Sequence, residues 1–266
     1  MLKNMPKDHI SVSQITSYRI CGRYYKYRYI DMYTPTNRCD VSGRIVGTAG
    51  HEYQKIKIDG GARNLEVIYF DVIKKNFHDI VRCQPGTDQE EVLAAFAEAC
   101  LFAKYDDARR IIKDADPESA ALYFDGYPET LKSGTVLRPS MFSIFLNLCD
   151  AADFEDEMKN IIVEAREKEM KYEFIRHGVE IPLLSYYDVI GQYMGQPVII
   201  DWKFTKRKWG ESKAPDIKDL IYSYIYWQLT GTIPGFWYIV FVWSPKTGNV
   251  QKQKIIVQHT EESLVS

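Results

Sequence analysis

The sequence has no long hydrophobic run, no excess of charge of one sign and no closely paired cysteines. Its 266 residues include 34 Lys and Arg against 36 Asp and Glu, so the formal net charge is −2. This balance excludes a uniformly basic coat protein for nucleic acid and a polyacidic tail protein. It does not exclude an enzyme that binds phosphate on a local basic patch.

The longest apolar runs, such as residues 197–200, are far too short to cross a bilayer, so we expect no membrane contact. The N-terminal residues lack the apolar segment of a signal peptide. The five cysteines are odd in number and widely spaced, which argues against a disulfide framework and a zinc ribbon. Together these features predict a cytoplasmic protein with reduced thiols.

The sequence does have an apolar content of 45%, enough to bury a core, and 19 tyrosines. Many of the tyrosines fall in two aromatic clusters, residues 24–29 and residues 222–227. Aromatic rings interleaved with Lys and Arg can stack on bases and hold phosphates. The same spacing is typical of a helix that packs its aromatic side on a sheet, and composition alone favours this second interpretation.

The N-terminal half of the chain has mainly helical patterns. Residues 1–60 carry two predicted helices, one capped by Ser13 and one that starts at His51 after a glycine-rich turn at 47–50. Residues 61–150 show helical spacing and no chemical motif, so we interpret them as a helical insertion or cap.

Residues 151–266 have the pattern of an α/β core with a partly antiparallel sheet. The hydrophobic spacing predicts, in order, a helix over 153–171, strands over 172–175, 183–193 and 197–203, a helix over 216–229, and strands over 236–243 and 250–258. The predicted fold is therefore α/β. In one compact unit, a helix, three strands, a helix and a strand follow a mostly helical N-terminal half.

Two aspartates lie in predicted strands, where an unpaired charge would be costly. Asp201 ends the apolar run 197–200, and Asp188 lies in the preceding strand, which a turn near Gly195 brings alongside. Two carboxylates so close repel each other unless a cation neutralises them. Lys203 projects from the same face of its strand as Asp201. This set suits metal-assisted hydrolysis of a phosphodiester bond, although an ion pair that only fixes two strands would use the same residues.

The order of these motifs along the chain resembles the PD-(D/E)XK nuclease superfamily, in particular its RecB-like exonuclease branch. Four segments match in the family's order: the N-terminal helix motif with Ser11, Ser13, Tyr18, Cys21 and Tyr24; Gly47 to His51, similar to G-x-x-x-H; Asp188; and Asp201-Trp202-Lys203. The resemblance implies a restriction-endonuclease-like core, with the helical region 61–150 as a variable insertion.

The resemblance also implies a role for each matching residue. His51, Asp188 and Asp201 would ligate Mg²⁺ or Mn²⁺, and the carbonyl of Trp202 would be a fourth donor. Lys203 would be the catalytic lysine beside the two aspartates, which also take part in catalysis.

Two features depart from the family pattern. The branch places a Q-x-x-x-Y motif on the helix after the lysine strand, whereas this helix has no Gln before Gln228. Tyr222 and Tyr226 have the same spacing, so Tyr222 would replace the Gln and Tyr226 would keep the Tyr. Relatives with an iron–sulfur cluster use one N-terminal and three C-terminal cysteines. No cysteine follows Cys149 in this sequence, so we expect no such cluster.

Candidate DNA-binding residues flank the predicted site. Lys206, Arg207 and Lys208 follow the active-site strand, while Arg23 and Lys26 belong to the predicted N-terminal helix. Such side chains would hold the phosphate backbone with little dependence on base sequence. The alternative interpretation is that they are solvated charges that keep the protein soluble.

The sequence therefore predicts a Mg²⁺- or Mn²⁺-dependent deoxyribonuclease, and an exonuclease rather than a site-specific endonuclease. The resemblance implies DNA as substrate, a role in DNA recombination, repair or phage DNA processing, a helicase or recombinase as partner, and the host cytoplasm for a phage protein. Two alternatives stay open. One is a degenerate nuclease fold that binds DNA or a partner without cutting, and the other is a nuclease that acts on RNA or as a structure-selective endonuclease.

Overall fold

A computed structural model describes residues 9–31, 41–61, 64–153, 157–176, 179–209 and 216–265. The helices in these residues are α1 (Val12–Ile20), α2 (Gly22–Tyr25), α3 (Ser42–Ile58), α4 (Leu65–Lys75), α5 (Phe77–Ile80), α6 (Gln89–Leu101), α7 (Tyr105–Ala115), α8 (Pro117–Ala120), α9 (Met141–Asp153), α10 (Ile217–Thr230) and α11 (Glu261–Val265). The strands are β1 (Ile10–Ser11), β2 (Tyr127–Leu131), β3 (Gly134–Arg138), β4 (Ile162–Arg176), β5 (Val179–Tyr193), β6 (Gln196–Thr205), β7 (Gly235–Trp243) and β8 (Val250–Val257). Two π-helical segments, Lys26–Ile30 and Ala121–Asp125, continue α2 and α8.

Strands β4 to β8 form one mixed sheet together with β1, while β2 and β3 form a separate hairpin. Strand β6 pairs antiparallel with β5 and parallel with β7, and β8 pairs antiparallel with β7. On the other side, β5 pairs antiparallel with β4, and β1 adds a short parallel pairing at Leu183 and Leu184. This mixed sheet covered by helices confirms the α/β prediction.

Strand β6 separates two hydrophobic clusters because its side chains alternate between the faces of the sheet. Val198, Ile200 and Trp202 belong to a large cluster shared with α3, α4 and α9. Ile199 belongs to a smaller cluster that includes the buried side of α10. The alternation places Asp201 on the α10 face, so the candidate site lies between β6 and α10.

The predicted helix over 153–171 is wrong. Helix α9 ends at Asp153, a short 3₁₀ helix spans Glu157–Asn160, and β4 follows. The residues of β4 are rich in Glu, Lys and Arg, which favour helices by intrinsic propensity. Pairing with β5 along the whole strand overrides this local preference.

The predicted glycine-rich turn at 47–50 is also wrong, because these residues lie inside α3. His51 is therefore in the middle of a helix rather than at its start. A Cβ atom on Gly50 would lie 2.6 Å from Cε1 of Phe204 in β6. The glycine thus allows a close contact between helix and strand where the sequence pattern suggested a turn.

The other predicted elements of the core are confirmed with small shifts at their ends: strands over 183–193, 197–203, 236–243 and 250–258, and the helix over 216–229. Gly231 ends α10 with a φ of 76°. The N-cap of α1 is Ser11 rather than Ser13, and Ser11 forms a capping box with Gln14. Across the described part of the chain, no helix is both long and apolar enough to cross a membrane.

Gly50→Ala should lower the free energy of unfolding by about 1 kcal/mol. The new methyl group must displace the Phe204 ring, and such overpacking costs about 1–3 kcal/mol, against a gain in helix propensity of at most about 1 kcal/mol. Gly43→Ala is the matched control in the same helix, because a Cβ atom there meets nothing within 4 Å. It should raise the stability by about 0.5–1 kcal/mol. Urea unfolding measures the free energy of unfolding of both variants. Equal stabilisation by the two substitutions would contradict the close contact of α3 with β6.

Candidate active site

Two aspartates lie where strands β5 and β6 part. Their antiparallel register ends at the pair Val189–Ile200, so Asp188 and Asp201 are the next residues of the two strands. Beyond this pair, β5 continues along β4 and β6 continues along β7. The carboxylate of Asp188 accepts the backbone N–H of Trp202 at 2.9 Å. The side chain thus satisfies a backbone donor of β6 beside the point where the strands separate.

Asp201 has only 1% of its surface exposed, and two lysines contact its carboxylate. Lys203 approaches Oδ2, and Lys218, the second residue of α10, approaches Oδ1. Lys203 lies beside Asp201 because residues two apart in a strand share a face of the sheet. Lys218 lies beside Asp201 because α10 packs on that same face. A buried carboxylate without partners would be very costly, so the two ammonium groups are what allow Asp201 to ionise.

Sequence reasoning missed Lys218, and the structure moves the tyrosine motif by one helical turn. Lys218 and Tyr222 have the i, i+4 spacing, and Nζ of Lys218 lies 4.9 Å from the centre of the Tyr222 ring. The Oη atom of Tyr222 accepts the backbone N–H of Tyr186 at 3.4 Å. Tyr222 and Tyr226 both pack in the smaller hydrophobic cluster. Of the two, Tyr222 is the one that contacts Lys218, so the K-x-x-x-Y spacing of Lys218 and Tyr222 is the pattern that could have indicated this lysine.

His51 lies on the side of α3 that faces the end of β6. Its Nδ1 atom is 3.8 Å from Oδ2 of Asp188. Its ring packs edge-on against Phe204 at a centroid distance of 5.0 Å and against Trp202 at 6.2 Å. The absence of a side chain on Gly50 lets α3 approach Phe204, and this approach brings His51 to Asp188.

The two aspartates have opposite pKa shifts. Burial, followed by the charge of Asp201, raises the pKa of Asp188 to about 7. Burial also opposes the ionisation of Asp201, but Lys203 and Lys218 outweigh it and lower the pKa of this carboxyl. Near neutral pH, Asp201 therefore carries a fixed negative charge while Asp188 exchanges a proton.

The pKa values of the basic groups at the site are shifted as well. Burial lowers the pKa of Lys203. Burial also disfavours the charge on Lys218, but the negative charge of Asp201 outweighs it and raises the pKa of Lys218. Burial lowers the pKa of His51 to about 4, so its imidazole is neutral near pH 7 and offers a nitrogen lone pair.

The donors at the site are of two types. Carboxylates suit Mg²⁺ and Mn²⁺, whereas a neutral imidazole is typical of transition-metal sites, and Asp188 and His51 lie side by side. Within the described residues, no group of three or more His, Cys, Asp and Glu side chains is arranged to hold a metal. Asp201 faces two lysines instead, so a cation that used all three donors would have to displace an ammonium group from Asp201.

The other predicted substrate-binding residues lie outside this centre. Lys206 donates to Oγ of Ser42 at 3.2 Å, and its Nζ lies 4.9 Å from the centre of the Trp243 ring. Lys206 therefore links the end of β6 to the start of α3. Lys206 is exposed to solvent, and so are the other four predicted basic residues: Arg207, Lys208, Arg23 and Lys26.

No protein-family model and no curated protein matches the sequence. Several solved structures are similar to it, among them the following two. The crystal structure of a protein described as "Putative exonuclease" from Eubacterium rectale matches with a TM-score of 0.32 and 14% identity, over 87% of this chain and 79% of that one. The crystal structure of SSO0001 matches with a TM-score of 0.28 and 15% identity, over 74% of this chain and 79% of that one. Likeness of this degree does not establish an activity, which has to be inferred from the residues of the site.

Proposed function

We propose that the protein is a metal-dependent nuclease that hydrolyses phosphodiester bonds in DNA as an exonuclease. The observation that carries the proposal is the convergence of His51, Asp188, Asp201 and Lys203, together with Lys218, where β5 and β6 part. Four of these five residues are the set that the motif order predicts. The resemblance to the RecB-like branch supports exonuclease activity in DNA recombination, repair or phage DNA processing.

Each residue of the site has a chemical role in this proposal. His51, Asp188 and Asp201 would hold Mg²⁺ or Mn²⁺, which when bound supplies an activated water and neutralises phosphate charge. Lys203 would orient the attacking water and stabilise the negative charge that develops on the phosphate. Lys218 would donate to a phosphate oxygen once its ammonium group turns away from Asp201.

A DNA-binding protein that does not cut is the second candidate, and the two ammonium groups on Asp201 favour it. They neutralise the carboxylate without a metal, as a structural ion pair would. The neutral His51 beside Asp188 argues against this candidate, because an ion pair that only joins β6 to α10 has no need of it. Metal-dependent cleavage separates the two candidates.

Asp201→Asn should reduce metal-dependent DNA cleavage by about 100-fold or more, because it removes a charged metal ligand and the partner of Lys203. The assay follows release of the label from end-labelled linear DNA, single- and double-stranded, with Mg²⁺, Mn²⁺ or EDTA. Asp107→Asn is the matched control on α7, since Asp107 pairs there with Arg110, and it should keep the wild-type rate. Thermal unfolding checks that both variants fold.

Equal rates of cleavage by the wild type and Asp201→Asn would show that catalysis does not depend on Asp201 and that the active site lies elsewhere. Mononucleotide products from linear DNA, with closed circles left intact, would support the exonuclease. Nicked or linearised circles would instead indicate an endonuclease. DNA binding without cleavage under any metal condition would favour the second candidate.

Lys218→Gln should tighten the binding of Mn²⁺ by about tenfold, because one positive charge leaves its contact with Asp201. Titration calorimetry without DNA measures this affinity directly. Lys113→Gln is the matched control, since Lys113 lies on α7 beside Asp125, and it should leave the affinity unchanged. If Lys218→Gln bound Mn²⁺ only as well as the wild type, Lys218 would not compete with the metal for Asp201.

A further inference from the structure

Four buried polar side chains lie near one another where α10, β7 and the segment after β8 meet. Asp219 and Ser223 have 0% of their surface exposed, Tyr238 has 3% and His259 has 8%. In the described part of the chain, five of their atoms have no hydrogen-bond partner: both carboxylate oxygens of Asp219, Oγ of Ser223, Oη of Tyr238 and Nε2 of His259. Protein interiors leave few polar atoms unpaired, so such a group indicates a bound ligand. We infer that the cluster binds a zinc ion, with Asp219 and His259 as ligands.

The spacing of the two proposed ligand atoms fits a shared metal ion. Nε2 of His259 lies 3.5 Å from Oδ2 of Asp219 and makes no hydrogen bond to it. A direct N–H···O hydrogen bond has a usual length of about 2.9–3.0 Å. Zinc binds imidazole nitrogen at about 2.0–2.1 Å and carboxylate oxygen at about 2.0–2.2 Å, with tetrahedral angles, so two such ligand atoms lie about 3.4 Å apart. The observed distance is that of two zinc ligands.

The charge of Asp219 also favours a cation. A carboxylate buried this completely is costly unless a positive group neutralises it. Asp201 contacts two lysines, whereas among the described residues His259 is the one basic side chain that pairs with Asp219. A zinc ion would neutralise the carboxylate and would accept the lone pair that a neutral imidazole offers at Nε2. One ion would therefore satisfy both buried groups.

Two hydroxyl groups are available to complete the site. Ser223 lies one helical turn after Asp219 and so on the same side of α10. Burial, followed by the charge of Asp219, raises the pKa of Tyr238, whose phenol therefore lies near this carboxylate. Within the described residues the cluster has no third His, Cys, Asp or Glu. The hydroxyl of Ser223 and a water molecule would fill the remaining positions of the tetrahedron, with Tyr238 hydrogen-bonded to that water.

The zinc ion would fasten the start of α10. Asp219 directly follows Lys218, whose ammonium group contacts Asp201. His259 lies two residues before α11. An ion held by Asp219 and His259 would link the first turn of α10 to the C-terminal segment and would stabilise the turn that carries Lys218. The inference goes beyond the proposed nuclease, because a structural ion at this place does not require that the protein cuts DNA.

The test is titration calorimetry with zinc chloride on the Asp201→Asn chain, which lacks one ligand of the proposed catalytic centre. It should bind about one zinc ion per chain with a Kd of about 1 μM or lower. Adding Asp219→Asn or His259→Gln should weaken this binding by about 100-fold. Adding His78→Gln should leave it unchanged, because His78 forms the matched exposed pair with Glu90 at 3.6 Å.

Thermal unfolding gives a second measurement on the same proteins. Zinc should raise the Tm of the Asp201→Asn chain and of its His78→Gln variant, because an ion that binds only the folded state stabilises it. Zinc should leave the Tm of the Asp219→Asn variant unchanged. An equal rise in Tm in this variant would overturn the inference.

Absence of zinc binding by the Asp201→Asn chain would overturn the inference, and so would unchanged affinity in the Asp219→Asn and His259→Gln variants. X-ray absorption at the zinc edge of the loaded Asp201→Asn chain identifies the ligands even if these variants do not fold. One imidazole with oxygen donors would support the site, whereas sulfur donors or several imidazoles would overturn it. None of these measurements depends on cleavage of DNA, so loss of the zinc site and loss of the proposed nuclease are separate results.

Discussion

The buried carboxylate of Asp201 is the constraint on which the rest of this structure depends. An isolated charge in a protein interior costs several kcal/mol, so β6 can hold it only with a positive partner, and Lys203 and Lys218 both supply one. Lys203 belongs to the same strand, but Lys218 must be supplied by α10. This contact helps to fix how α10 lies on the sheet, and it places Tyr222 against Tyr187 at a ring distance of 4.7 Å. The charge of one side chain thus constrains the packing of a whole layer.

Local patterns were enough to predict the centre of the site. Residues 197–203 form a strand with Asp201 and Lys203 on one face, because a period of two is a property of the strand alone. The helix that ends at Gly231 was predictable for the same kind of reason, since a glycine with positive φ is a local stop. The mixed α/β character of the fold followed from the order of such elements.

The features that sequence reasoning missed all depend on tertiary contacts. Lys218 looks like any lysine in the first turn of a helix, and only the position of α10 on the sheet brings it to Asp201. Gly50 was predicted to lie in a turn because glycine is frequent in turns. In the structure it allows helix α3 to approach Phe204, a residue far along the chain. The residues of β4 have helical propensity and became a strand through pairing with β5. In each case a distant partner outweighed the local preference.

The hydrogen bond from Trp202 to Asp188 affects how the site would change during evolution. If the proposed nuclease activity were lost in a lineage, selection would relax at Lys203, because Asp201 would keep Lys218 as a partner. Loss of Asp188 would leave the N–H of Trp202 without its acceptor, at a cost of about 1–3 kcal/mol. Selection for folding would therefore retain this aspartate after the chemistry had gone. Among relatives of this protein, retention of Lys203 would thus be tied to the proposed activity, and retention of Asp188 to the fold.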